Sequence, residues 1–157
     1  VKIQLSRKEI VQLTHLLESS ELDSLRGEKL VYALDKNRKK LREANKQIML
    51  DSKFVSKLSK EEDTYITERN KIIAGVKEEE LSDLAKEELK TLDEANKEII
   101  TSYETRQKMY WDIELISIEV HAIKAEELSE VDYGLSKKIS FMIFDWEEKE
   151  ELVVNIE

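Results

Sequence analysis

A chain without proline can leave a helix only through glycine or its own capping chemistry. This chain of 157 residues has no proline, and glycine only at Gly27, Gly75 and Gly134. Half of it is Ala, Glu, Lys, Arg and Leu, the composition of long helices and coiled coils. A turn-rich all-β fold is excluded, because its turns draw on glycine and proline. Cysteine is also absent, which removes disulfides, thiolate nucleophiles and thiolate metal sites. The length fits one domain, 1–157.

Apolar spacing predicts the elements. Lys2-Ile3-Gln4-Leu5 alternates as a short strand does, and Ser6-Arg7-Lys8-Glu9 is a capping box opening a helix that carries Ile10, Leu13 and Leu17. Leu34, Leu41, Ile48 and Val55 recur every seven residues, which predicts a long amphipathic helix. Ser59-Lys60-Glu61-Glu62 marks a restart after it. Gly75 marks a reversal. A second stripe follows the acidic start Glu78-Glu79-Glu80: Leu81, Ala85, Leu89, Leu92, Ile99, Tyr103, Tyr110 and Ile113. A reversal at 75–78 sets Leu58 near Ala95 and Val55 near Ile99. Ile116, Ile118, Val120 and Ala122 then alternate as a second strand. Leu135, Ile139, Met142, Ile143 and Trp146 are spaced as a short helix, and 152–156 reads as a third strand or a frayed end.

The expected fold is mainly α with a small β element. A long antiparallel, coiled-coil-like helical hairpin over 31–110 projects from a head of two or three strands and short helices, built from 1–30 and 111–157.

The chemistry readable from the residues is sparse. His15 and His121 are the two histidines, and no metalloprotease, P-loop, dinucleotide or EF-hand motif occurs. The expectation is that the chain is not an enzyme and has no cofactor or metal site. Runs such as Glu61-Glu62-Asp63 and Glu126-Glu127 read as solvated helix ends. The net charge is −9, from +4 over 1–50 to −9 over 111–157, a poor balance for nucleic acid. The one basic stretch holds Lys36, Arg38, Lys39, Lys40, Arg42 and Lys46. Lys36, Lys39, Lys40 and Lys46 lie broadly opposite the apolar seam and form the candidate partner or nucleic-acid face. No run approaches the ~18 apolar residues that span a bilayer, which predicts no membrane contact and an intracellular location.

Gly27-x-Lys29-x-x-Tyr32-Ala33-x-x-Lys36-Asn37, followed by a helical hairpin, resembles a family of small uncharacterised bacteriophage and prophage proteins. Ile118-Glu119-Val120-His121-Ala122-Ile123, Glu126-Glu127-Leu128 and Phe141-Met142-Ile143 look like that family's C-terminal signature. Ser129 stands where the family has proline, and the longer hairpin tip is missing. The resemblance implies a phage context and a place in the host cytoplasm, with no activity to carry over. The expected function is that of a non-enzymatic accessory protein acting by protein–protein contact, with room for a homo-oligomer through the hairpin. Two alternatives stay open: an acidic inhibitor of a host nucleic-acid-binding or defence protein, and a nucleic-acid-binding hairpin.

Overall fold

The computed structural model describes residues 1–128 and 131–144. Trp146 and the expected strand at 152–156 lie outside them. The described chain is mostly helical with one small antiparallel sheet. It divides into two compact units, Val1–Leu50 with the chain from Asp112 onward, and Asp51–Trp111.

In the first unit, strand β1 (Lys2–Ser6) leads directly into helix α1 (Arg7–Leu17). The capping box is complete: the Ser6 hydroxyl accepts from the Glu9 N–H at 3.2 Å, and the Glu9 carboxylate accepts from the Ser6 N–H at 2.7 Å. A 3₁₀ turn over Ser20–Ser24 follows. Gly27, at φ 105°, then allows the sharp entry into helix α2 (Glu28–Val55). α2 buries Leu30, Ala33, Leu34, Asn37, Leu41 and Ile48. This is the seven-residue stripe of the sequence, with a polar residue in its midst. Residues 31–50, read from sequence as hairpin, therefore belong to the first unit.

Strand β2 (Leu115–Glu119) pairs antiparallel with β1, Ile3 opposite Ile118 and Leu5 opposite Ile116. The chain then runs extended to Ile123, which bridges in parallel to Ile143. The expected helix over 135–146 is shorter. Helix α6 (Tyr133–Lys138) ends at Ile139, and a 3₁₀ turn over Ser140–Met142 turns the chain into that bridge. Ile10, Leu17, Leu22, Leu30, Leu41, Leu128, Ile139 and Met142 are almost wholly buried and form the core of this unit.

The second unit contains α3 (Lys60–Ile73), α4 (Asp83–Ala95) and α5 (Lys97–Lys108). α3 packs on both of the others. Ser59 caps α3 as its motif predicts, accepting from the Glu62 N–H at 3.2 Å. The reversal is longer than expected. Ala74 and Gly75 both take positive φ (50° and 76°), Glu78–Glu80 forms a 3₁₀ turn of its own, and α4 starts at Asp83, capped by Ser82. The helix partners shift in consequence. A reversal at 75–78 would set Tyr65 opposite Glu88, but Tyr65 bonds Asp93. Val55, expected near Ile99, is reached by Arg106 and Gln107. The second stripe is also interrupted at Asn96, whose side-chain amide donates to the Leu92 carbonyl at 2.9 Å. After α5 the chain makes a π-helical turn over Met109–Ile113.

Candidate functional site

A groove of about 580 Å³ lies in the first unit, between the start of α2 and the chain at 121–127, which turns into a 3₁₀ helix at Ala125–Leu128. Lys29, Tyr32 and Lys36 are at i, i+3 and i+7, so they share one face of α2. Lys29 and Tyr32 line the groove, opposite His121, Ile123 and Glu127.

The groove is held by a residue beneath it. Asn37 is fully buried. Its Oδ1 accepts from the His121 N–H at 2.7 Å, and its Nδ2 donates to the His121 carbonyl at 2.9 Å and lies 3.4 Å from the Met142 sulfur. A primary amide carries a donor and an acceptor side by side, so it can replace a neighbouring strand. With its main chain fixed in this way, His121 presents its ring edge-on to Tyr32, centroids 5.2 Å apart. The Lys36 ammonium sits 5.3 Å from the centroid of the same Tyr32 ring. At the mouth, Lys29 donates to Glu127 at 2.9 Å. That bond, with the Glu127 and Glu126 charges, holds the Lys29 ammonium above the usual lysine range.

The basic stretch is divided among different tasks. Arg38 donates to the Leu17 carbonyl at 2.7 Å and pairs with Asp23, and Arg42 is paired with Glu18. Lys40 donates to the Glu119 carbonyl at 2.8 Å. Lys36 is committed to the Tyr32 ring. Lys39 and Lys46 are exposed and hold no ion pair among the described residues. The four lysines taken as one face therefore do three different things. His15 lies exposed in the last turn of α1. Among the described residues no group of three His, Asp or Glu could hold a metal ion, and no helix is long and apolar enough to cross a membrane.

Sequence reasoning gave no role to Asn37 or to the Tyr32–His121 contact. One signal was present for Asn37: it falls three residues after Leu34 and four before Leu41, a seam position where a polar residue fixes register at a cost in stability. No family model, curated protein or solved structure matches this chain.

Proposed function

We propose that this chain is a non-enzymatic accessory protein of a bacteriophage or prophage, acting inside the host cell by contact with another protein at the groove beside Tyr32. The observation that carries this reading is Tyr32 itself. The residue is 52% exposed, yet its ring is braced by the His121 edge and the Lys36 ammonium. A rigid exposed aromatic side chain loses little freedom on binding and is the usual anchor of a protein interface. The rim carries both signs of charge, Lys29 and Lys124 against Glu28, Glu126 and Glu127. Mixed charge suits a protein surface better than a phosphate backbone. The internal engagement of Arg38, Lys40 and Arg42 also weighs against a nucleic-acid face.

The phage setting rests on the resemblance described above. Lys29, Tyr32, Lys36, Asn37, His121 and Glu127, all within its motifs, gather at this groove. In this reading Asp51–Trp111 serves as an antiparallel, coiled-coil-like hairpin.

Photo-crosslinking tests the proposal. Benzoylphenylalanine at position 32, expressed in a bacterial host, is expected to give a discrete protein adduct that the same probe at position 39 does not give. Equal diffuse labelling from both positions would defeat it. Adducts to nucleic acid would favour the nucleic-acid reading instead.

A further inference from the structure

Among the described residues, no strand pairs with the outer edge of β1. Val1 and Val120 exchange both main-chain hydrogen bonds, at 2.8 and 3.2 Å. By the alternation of an antiparallel ladder, Ile3–Ile118 and Leu5–Ile116 are bonded pairs too, and the peptide groups of Lys2, Gln4 and Ser6 point away from β2. The Ser6 N–H is closed by the Glu9 carboxylate. On the far side of β2 and its extension, Lys40 takes the Glu119 carbonyl, Asn37 holds His121, and 142–144 bond Ile123. The N–H and C=O groups of Lys2 and Gln4 have no partner among the described residues, and both residues are exposed.

We propose that a second copy of this chain docks on this edge. β1 pairs antiparallel with its symmetry mate about a twofold axis, making a four-stranded sheet. The register follows by elimination. Lys2 opposite the partner's Gln4, and Gln4 opposite the partner's Lys2, forms four hydrogen bonds and uses all the open main-chain groups of these two residues. Sliding one way sets two Lys2 ammonium groups directly opposed, which is repulsive. Sliding the other way sets Lys2 against the partner's Ser6, whose N–H is already closed by Glu9. The surviving register places Ile3 against the partner's Ile3 as a non-bonded pair, where side chains approach most closely. Ile3 and Leu5 are half-buried, so the contact covers apolar surface that the single copy leaves partly open. The interface is isologous, as a twofold dimer requires. It is also small and guarded by a lysine, so the association is weak. This surface is separate from the groove at Tyr32, and the proposal does not depend on that reading.

Sedimentation equilibrium on the whole chain tests it, with Gln4→Pro as the variant. The Gln4 N–H points away from β2, so proline there takes no hydrogen bond from the internal ladder while removing an intermolecular donor on each strand. The wild type is expected to move from monomer to dimer mass between about 10 μM and about 1 mM, and Gln4→Pro to remain monomeric. In this cysteine-free chain, Ile3→Cys is expected to oxidise to a disulfide dimer. A wild type that stays monomeric throughout, or a dimer that survives Gln4→Pro, overturns the proposal. Should Gln4→Pro fail to fold, hydrogen exchange on the wild type decides. Slowing of the Lys2 and Gln4 amides with rising concentration supports the edge, and no slowing overturns it.

Discussion

Asn37 grips the main chain of His121 at both its N–H and its C=O, across 84 residues of sequence. One buried amide thereby ties the middle of α2 to the chain that leaves β2, and it fixes where the Tyr32 and His121 rings meet. Leucine fits the seam by size, but it would leave two part-buried main-chain groups of His121 without their partner. Asn37→Leu should therefore lower stability by roughly 1–3 kcal/mol, for two hydrogen bonds lost from groups that are only partly buried. Urea denaturation measures this, and a variant as stable as the wild type would show that the amide is dispensable.

In the second unit Glu62 is buried and Arg106 grips its carboxylate with two bonds, at 2.9 and 2.8 Å. The Arg106 bond holds Glu62 below the usual carboxylate range, against the opposing effect of burial. A carboxylate depressed on folding contributes stability that is fully present above its unfolded pKa of about 4.5 and is lost as pH falls through the lower folded value. Melting temperature should thus fall on acidification below about pH 4.5, and Glu62→Gln should flatten that part of the profile. Arg106→Ala leaves a buried, unpaired charge. With Arg106 about one-third exposed, the loss should be about 1–3 kcal/mol rather than the larger cost of a fully buried pair.

Ala74 ends α3 in the left-handed region at φ 50°. A side chain there costs about 1 kcal/mol that glycine avoids, so Ala74→Gly should stabilise the chain by up to about that amount. The neighbouring Gly75, at φ 76°, should behave oppositely. Its Cβ would meet no atom within 4 Å, so any loss in Gly75→Ala is conformational and should be about 1 kcal/mol. Thermal melts showing the same sign for both substitutions would contradict this account.

Tyr65 donates to Asp93 at 2.6 Å. Burial, and then this bond, push its phenol above the usual tyrosine range. In an ultraviolet titration Tyr65→Phe should remove a phenol that ionises above the usual tyrosine range. Loss of the single bond should cost about 1 kcal/mol.

What the sequence by itself determined is the set of interactions that close within a few residues. The Ser6 and Ser59 caps act on amides three positions away, and the period of Leu34, Leu41 and Ile48 names the buried stripe of α2 because side chains seven apart share a helix face. The alternation around Ile116 and Ile118 likewise marks a strand. Tertiary structure decided the rest. Tyr65 finds Asp93 rather than Glu88 because a left-handed pair and a 3₁₀ turn lengthen the reversal, and a helix pattern carries no information on turn length. The groove unites Lys29, Tyr32, Asn37, His121 and Glu127 from opposite ends of the chain. A polar residue on an apolar stripe signals that some buried partner exists, but only the packed chain brings the His121 main chain to within 3 Å of it.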